Sequence, residues 1–361
     1  LLLQPLRKIE APSISTGGRL LLVIDAIDEA GLDDHNELIE LIARDFVNLP
    51  PWLCLLVTSR PERMIEKQLA TLRPTKLDSA DFAAEMGKDC RLFIRDMLKS
   101  HVDANGLERA VQVVERKSQG LFLYLHWLRM RLDDSSPPSA RAKVKFDELE
   151  ALPDGLAAEY ELQMRRIFPP PQDWPESGDS RRVLETIVAA AEPLHAKREL
   201  PQLCGVDSKK CHVIVDTLSR LFPVRDDGRV HIVHKSICDW LTGETPYGER
   251  SDDEDFFIDR RKSHLHLASA CVAALLDKQP RMLIPSRSSD AAAINALRAI
   301  EGNSGKASLD YALKWTCFHL QQAGERFAAV LLVCSWGFVK QLCDQDGIGR
   351  LVDECAKLGC E

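Results

Sequence analysis

The sequence lacks the cysteine patterns that mark zinc-binding or disulfide-stabilised domains. None of its eleven cysteines belongs to a CxxC pair. The closest spacings fit neither a zinc ribbon nor a compact disulfide framework: Cys204/Cys211, Cys334/Cys343 and Cys355/Cys360. An odd number of scattered thiols is typical of a reducing compartment, so we expect a cytoplasmic protein.

Long apolar runs are also scarce. The longest near the C-terminus, residues 327–339 (FAAVLLVCSWGFV), is too short to span a bilayer and is typical of a buried helix. At the N-terminus, LLLQPLRKIE combines a short apolar run with an early proline, which excludes a secretory signal. The chain opens on Leu1 without a methionine. We therefore expect a piece of a longer protein that has no membrane partner.

An excess of positive charge is missing as well. The formal net charge is −8 and the pI is about 5.8, which argues against a general electrostatic attraction to nucleic acid or anionic membrane. Hydrophobic residues make up 45% and charged residues 28%, a composition typical of soluble globular proteins. A chain of 361 residues is too long for one ordinary core, so several domains are expected.

Two apolar runs near the N-terminus predict strands. Residues 19–25 (RLLLVID) and 52–59 (WLCLLVTS) are almost continuously apolar, which predicts strands buried on both faces of a sheet. Between them, residues 37–48 (ELIELIARDFVN) carry apolar side chains at helical spacing. Strand, helix and strand in this order predict a parallel βαβ unit of a doubly wound sheet.

Beyond residue 77 the apolar periodicity is helical. Helices are predicted over residues 81–99, 107–117 and 121–132. Residues 183–241 contain three helical patterns followed by FPVRDDGRVHIV, which predicts two short strands around a DDG turn and hence a winged-helix outline. Segments rich in helix breakers separate these regions: 133–140, 169–179, 243–255 and 280–307.

Carboxylates crowd the end of the first apolar run, LLLVIDAIDEA at residues 20–30. In P-loop NTPases a strand of this kind delivers an aspartate to the magnesium ion, and an acid just beyond polarises the attacking water. This layout makes Asp25 the metal-side candidate and makes Asp28 and Glu29 the catalytic candidates. The alternative is a buried strand whose acids cap the following helix.

Polar residues also end the second apolar run. Thr58, Ser59 and Arg60 stand immediately before Pro61, which stops the strand. A hydroxyl and a guanidinium at the tip of a neighbouring strand suit a sensor for a terminal phosphate, because arginine binds phosphate oxygens bidentately. The same residues also make an ordinary strand-to-helix turn. Their spacing from the carboxylates favours a nucleotide site.

In order and spacing, these two motifs resemble the NACHT branch of the STAND signal-transducing NTPases, including nephrocystin-3-like proteins and relatives with ankyrin or WD repeats. Three further segments carry the resemblance: SQGLFLYLHWLRMRL at 118–132, LPDGLAAEYELQMRRIF at 152–168 and HIVHKSICDWL at 231–241. The implied fold class is α/β followed by mostly α. The implied domains are the distal half of a NACHT domain with its Walker B and sensor 1 strands (1–77), a helical subdomain (78–150), a winged helix (151–242) and a helical arm (256–361).

The resemblance implies a regulatory ATPase that switches between ADP-bound and ATP-bound states with Mg²⁺. By this resemblance Asp25 holds the metal through water, and Thr58, Ser59 and Arg60 belong to the nucleotide-binding set. His234 matches the winged-helix histidine that contacts the β-phosphate of ADP. The active state is expected to be a homo-oligomer, with protein partners bound through the helical arm and through downstream repeats.

The chain departs from the family at two places. It contains no GxxxxGK[ST] loop, and the lookalike GNSGKAS at 302–308 has the wrong spacing and is predicted to be a loop. Phe122 stands where many relatives have proline. We therefore expect the chain alone to bind nucleotide weakly or not at all.

Three alternatives stay open at this point. The first is a nucleotide-independent interaction scaffold with a degenerate NTPase domain. The second is a DNA-handling ATPase, which the largely apolar candidate recognition helix at residues 211–220 disfavours. The third is a metal site formed by His231, His234 and Cys238 on a strand-to-helix turn.

Overall fold

A computed structural model describes most of the chain, and within it the chain forms two compact units, Leu1–Glu150 and Ala151–Glu361. The loop predicted for GNSGKAS and most of the predicted breaker segments lie outside the described residues. The described residues are 19–30, 37–60, 62–75, 77, 80–134, 144–169, 178–244, 255–278, 307–346 and 348–358.

The predicted parallel βαβ unit is confirmed in the first compact unit. Strand β1 (Leu20–Ile24) pairs in parallel with strand β2 (Leu53–Val57), and helix α1 (Glu37–Asp45) makes the crossover between them. Helix α2 (Arg63–Gln68) follows β2. Buried side chains of α1 and α2 form one hydrophobic core with Ile27. Strand residues such as Leu55 pack against this core and are partly buried by it. This core holds the two strands in register.

The burial predicted for both faces of these strands is wrong in the described structure. Leu21 is 60% exposed and Val23 is 54% exposed in β1, and Leu56 is 50% exposed in β2. The reason is that a parallel strand is buried only where helices or other strands cover both faces of its sheet. Among the described residues, the sheet contains only β1 and β2. Their apolar composition therefore favours strands, but it does not determine whether both faces of the strands are covered.

The rest of the described part of the first unit is helical, as its periodicity predicts. Its α-helices are α3 (Ala80–Leu98), α4 (Leu107–Ser118), α5 (Phe122–Asp134) and α6 (Phe146–Glu150). Helix α4 packs against α3, α5 and α6, because these helices place buried apolar side chains such as Ile94, Val111 and Leu125 on their inner faces. Helix α4 ends at Ser118, and its C-cap Gln119 adopts a left-handed conformation before Gly120.

The second unit consists of helices and one short hairpin. In chain order the first helices are α7 (Gly155–Ile167), α8 (Asp179–Ala189), α9 (Leu200–Cys204), α10 (Ser208–Leu218) and α11 (Lys235–Thr242). Helices α8, α9 and α10 pack against one another, and α11 packs against α7. Tyr160 of α7 and Trp240 of α11 bring their ring centroids within 5.9 Å. The predicted three-helix set therefore precedes the hairpin.

The predicted hairpin is present between α10 and α11, but only isolated bridges join its arms. Val224 pairs with Val230 in antiparallel fashion, and the amide of Gly228 donates to the carbonyl of Arg225 across the turn. Gly228 has a φ of +75°, which a glycine adopts without steric cost. Pro223 has no N–H to donate, which limits the ladder to single bridges.

Five further helices follow in the described part of the second unit. Helix α12 (Arg260–Lys278) packs most extensively on α13 (Leu309–Gln322) and also contacts α8. They are followed by α14 (Arg326–Val333), α15 (Trp336–Asp346) and α16 (Ile348–Leu358). Within the described part of the chain, no single helix has the length and hydropathy needed to cross a membrane, although a bent pair at residues 326–333 and 337–344 meets that measure jointly.

Candidate functional site

The candidate site lies where β1 and β2 end. Because the strands run in parallel, their carboxyl ends meet at the same edge of the sheet. Asp25 and Ala26 follow β1 directly, and Thr58, Ser59 and Arg60 follow β2. The two polar motifs of the sequence are therefore neighbours in space, although they lie more than thirty residues apart along the chain.

Thr58 joins the two strand ends on one side of the site. Its hydroxyl donates a hydrogen bond to a carboxylate oxygen of Asp25 and accepts one from the amide of Ala26 at 2.8 Å. The carbonyl of Thr58 accepts from the amide of Ile27 at 2.9 Å. These bonds hold Ala26 in a left-handed conformation with φ 52°, which is unfavourable for a residue with a Cβ. The turn directs the exposed Asp25 side chain away from the core.

Asp28 and Arg60 form the other half of the site. Oδ1 of Asp28 accepts from the backbone amide of Arg60 at 3.1 Å, and Oδ2 accepts from Arg60 Nε at 2.9 Å. The Ser59 hydroxyl lies 3.5 Å from Oδ1, at the outer limit of a hydrogen bond. The Asp28 side chain is only 2% exposed, whereas that of Arg60 is 34% exposed. The aspartate thus anchors an arginine that reaches the surface.

The charge of Asp28 is maintained by this partner. Burial by itself raises the pKa of the Asp28 carboxyl, but the hydrogen bonds from the Arg60 guanidinium and amide, together with its positive charge, outweigh burial. The net result is a pKa below the ordinary value of 3.8. A carboxylate that is this well compensated is a weak general base.

The three carboxylates predicted to act on metal and water have different surroundings in the structure. Both oxygens of Asp28 are engaged by Arg60, so in this arrangement Asp28 positions an arginine. Glu29 lies in the short 3₁₀ turn Ile27–Glu29, and its side chain lies outside the described atoms. Asp25 is exposed, as a ligand that meets magnesium through water should be. The roles of all three residues toward metal and water stay predictions.

His234 belongs to the second unit, where it caps helix α11. Its Nδ1 accepts a hydrogen bond from the Ser236 amide at 3.1 Å and lies 2.6 Å from the Ser236 hydroxyl. The Tyr160 hydroxyl lies 2.6 Å from that same serine oxygen and supports the cap from helix α7. Because Nδ1 accepts, the neutral ring carries its proton on Nε2. The exposed imidazole therefore presents an N–H donor at a helix N-terminus.

The open alternative of a metal site around His234 gains no support from the structure. Within the residues that the structure describes, no group of three or more His, Cys, Asp or Glu side chains is placed to hold a metal ion. His231 Nε2 instead lies 3.5 Å from Asp227 in the hairpin turn. Burial raises the pKa of the Cys238 thiol to about 12.

One buried cluster of the second unit escapes sequence reasoning. Nδ1 of His264 lies 3.0 Å from Nδ1 of His319, whose Nε2 lies 3.0 Å from the Tyr311 hydroxyl. These residues have no spacing that marks them along the chain. The sequence signal is that their side chains fall on the apolar faces of their helices.

In comparisons with known proteins, no family model, no curated protein and no solved structure matches this chain.

Proposed function

We propose that this chain contributes the metal-side strand, the sensor strand and the winged helix of a regulatory NTPase switch of the NACHT type. One observation carries the proposal: two parallel strands bring an exposed aspartate, a threonine hydroxyl and an anchored arginine to one edge. Ligands of α/β proteins bind at this edge of a sheet. The order of three helices, hairpin and helix α11 in the second unit supports the winged-helix assignment.

In this proposal each residue has its own role. Asp25 would hold Mg²⁺ through a water molecule, because magnesium keeps most of its hydration shell and uses few carboxylates. Arg60, oriented by Asp28, would bind oxygens of the terminal phosphate. His234 would donate from Nε2 to the β-phosphate of ADP. The bound nucleotide would supply the phosphate whose presence distinguishes the two states.

The switch would work through differential affinity. In the inactive state His234 would connect the winged helix to a bound ADP, and exchange for ATP would release that connection. A ligand moves such an equilibrium only by as much as its affinity differs between the two states. Release would expose a face for homo-oligomerisation, and the helical arm and downstream repeats would bind protein partners. Because these 361 residues contain no GxxxxGK[ST] loop, nucleotide binding would require a phosphate cradle supplied from outside them.

The test begins with the coding sequence upstream of Leu1. A GxxxxGK[ST] motif after an apolar strand would define a longer protein, which is purified without added nucleotide and analysed for bound ADP. We expect retained ADP in that protein and its loss in the His234→Ala variant. His231→Ala is the matched control, because His231 lies on the same segment but faces Asp227. Equal ADP retention by both histidine variants, or an empty site in the unmodified protein, would overturn the proposal.

A second candidate function is a nucleotide-independent interaction scaffold. The observation that favours it is the engagement of both Asp28 oxygens by Arg60, which leaves this carboxylate committed to a structural contact. A scaffold would show the same oligomeric state and the same partner binding with ATP, with ADP and without nucleotide. Light scattering of the longer protein under these three conditions separates the candidates, because the switch requires a larger assembly with ATP.

A further inference from the structure

A chain of three hydrogen-bonded side chains runs from helix α7 to the N-terminus of helix α11. The Tyr160 hydroxyl oxygen lies 2.6 Å from that of Ser236, which lies 2.6 Å from Nδ1 of His234. Tyr160 is 1% exposed and Ser236 is 5% exposed, whereas His234 is exposed to solvent. The chain therefore connects a buried contact between two helices to an imidazole at the surface.

One backbone hydrogen bond fixes the direction of every donor in this chain. The amide of Ser236 can only donate, and it donates to His234 Nδ1 at 3.1 Å, so Nδ1 carries no proton. The Ser236 hydroxyl must then also donate to Nδ1, which makes its oxygen the acceptor for the Tyr160 hydroxyl. The single proton of the neutral ring therefore lies on Nε2, the ring nitrogen remote from Ser236.

Burial and packing hold the two hydroxyls in place. A buried hydroxyl that loses its partner is not compensated by water, so the hydroxyls of Tyr160 and Ser236 stabilise each other. The Tyr160 ring also packs on Trp240, with 5.9 Å between the ring centroids, which fixes the tyrosine against helix α11. Rotation of the His234 ring would break its bonds to the Ser236 amide and hydroxyl together. The imidazole is therefore held in one orientation before any ligand binds.

His195 provides a comparison within the same unit. Its Nδ1 accepts from the amide of Lys197, two residues further on, at 3.2 Å, as His234 accepts from the amide of Ser236. The Nε2 of His195 lies against the backbone of Gly228, so close that a Cβ added there would be 2.9 Å away. The hairpin turn thus covers Nε2 of His195, whereas His234 is exposed and has a hydroxyl as a second donor to Nδ1.

We propose that Ser236 and Tyr160 are positioning residues for phosphate recognition, because they hold the His234 imidazole as an Nε2–H donor. This role rests on the function proposed above, in which that donor binds the β-phosphate of ADP. Phosphate oxygens accept hydrogen bonds, so they require a proton on the ring nitrogen that they meet. A donor that is already oriented also avoids the entropy cost of ordering the ring on binding. Tyr160 thereby contributes to nucleotide affinity from helix α7 without touching the nucleotide.

The first measurement uses the whole chain without nucleotide, in heteronuclear NMR with isotope-labelled histidines at mildly alkaline pH, where imidazoles are neutral. The nitrogen shift of an imidazole distinguishes a protonated from an unprotonated nitrogen and responds to the hydrogen bonds that it accepts. We expect Nδ1 of His234 to be unprotonated and strongly hydrogen-bonded. Ser236→Ala should move its shift toward that of a weaker acceptor, and Tyr160→Phe should move it in the same direction by less.

The controls separate this effect from a general loss of structure. Thr242→Val removes a hydroxyl from the same helix, one that donates to the carbonyl of Cys238, and should leave the His234 shifts unchanged. The His195 shifts should stay constant in every variant and so report that each one is folded. A protonated Nδ1 of His234 in the unmodified chain, or an Nδ1 shift that Ser236→Ala leaves unchanged, would overturn the proposal.

The second measurement follows bound ADP in the longer protein, purified without added nucleotide. Ser236→Ala and Tyr160→Phe should retain less ADP than the unmodified protein and more than His234→Ala, whereas Thr242→Val should retain as much as the unmodified protein. Full ADP retention in Ser236→Ala and Tyr160→Phe would overturn the positioning role and leave the proposed function intact. An empty site in the unmodified protein would instead overturn the proposed function, and with it the phosphate role of this chain of hydroxyls.

Discussion

One site in each unit buries titratable groups, and the two sites do so in opposite ways. In the first unit, burial raises the pKa of Asp28, but the hydrogen bonds and charge of Arg60 reverse that effect and the carboxylate stays ionised. In the second unit, burial lowers the pKa of His264 to about 3 and lowers the pKa of His319 well below its ordinary value, so both imidazoles stay neutral. A buried group keeps its charge only where an opposite charge compensates for lost hydration.

The neighbours of the histidines explain the difference. His264 on α12 and His319 on α13 contact each other, and the Tyr311 hydroxyl completes the cluster. The charge that acts on His264 is that of Arg260, which opposes protonation, and His264 itself opposes protonation of His319. One Nδ1 must donate to the other, so the bond between the two neutral rings needs a single Nδ1–H. Protonation of the accepting Nδ1 would remove that bond, and protonation of either ring would place a charge in the core.

The largest effect that separates the units is expected on acidification. Unfolded histidine takes up a proton near pH 6.5, whereas His264 does so near pH 3 in the folded protein. The neutral histidines therefore make their full contribution to the free energy of unfolding of the second unit above pH 6.5. This contribution falls as the pH drops from 6.5 toward 3. For His264 alone the loss at pH 5 is on the order of 2 kcal/mol, and His319 adds to it. The contribution of Asp28 is present above pH 3.8 and is lost as the pH falls from 3.8 through its lowered pKa.

This prediction is measured by a hydrogen-exchange pulse at fixed pH after equilibration in urea at pH 7.5 or pH 5. Peptides from each unit report its unfolding separately. His319→Gln should flatten the pH dependence of the second unit, whereas His212→Gln should not, because the His212 side chain is 52% exposed. An unchanged pH dependence in His319→Gln would contradict the role of the buried pair.

A smaller effect is expected when the charge compensation of the first unit is removed. Asp28→Asn leaves the Arg60 guanidinium without its carboxylate, and the expected loss of unfolding free energy is about 1–2 kcal/mol, less than for a fully buried pair because Arg60 is partly exposed. Urea unfolding measures the loss. Asp45→Asn, which removes an ion pair with the exposed Arg44, is the control and should be close to neutral. If Asp28→Asn left the free energy of unfolding unchanged, the carboxylate of Asp28 would not be needed to stabilise the guanidinium of Arg60.

The next effect concerns the hydroxyl that joins the strand ends. Thr58→Val removes the bond to Asp25 and the acceptor for the Ala26 amide, so the left-handed turn at Ala26 loses support. The expected loss is about 1 kcal/mol by urea unfolding. Thr71→Val, at an exposed position in the same unit, should leave stability unchanged. Equal free energies of unfolding for the two variants would show that the turn at Ala26 is stable without the Thr58 hydroxyl.

The smallest effect is expected at an ion pair that is not buried. Lys99 and Asp96 are 64% and 69% exposed, so water already solvates both charges. Lys99→Ala should leave the urea midpoint unchanged. If Lys99→Ala lost as much unfolding free energy as Thr58→Val, then an exposed ion pair would stabilise the protein as much as the hydroxyl that joins the strand ends. That result would contradict the comparison of buried with exposed charges.

Sequence patterns predicted the elements well. Alternating helical faces placed α3, α4 and α5 within a few residues of their observed bounds, and the apolar runs predicted the parallel pair β1 and β2. The burial of both faces of β1 was predicted incorrectly, because an apolar run indicates a strand but contains no information on what covers it.

The polar clusters show where pattern reasoning stops. Asp25 and Thr58 could be placed together because parallel strands end at a common edge. The pairing of Asp28 with Arg60, which changes the expected role of that carboxylate, depends on side-chain rotamers within the turn. His264 and His319 meet across 55 residues through helix packing. Spacing alone does not encode these contacts.

By itself the sequence determined the order and type of the elements, because the periods of apolar residues distinguish strands from helices locally. It also placed the polar residues at the strand ends. Only the tertiary structure decided which of the buried groups are charged and which are neutral. The physical reason is that a pKa and a hydrogen bond depend on burial and on partners within a few ångströms, and the packing of distant segments supplies both.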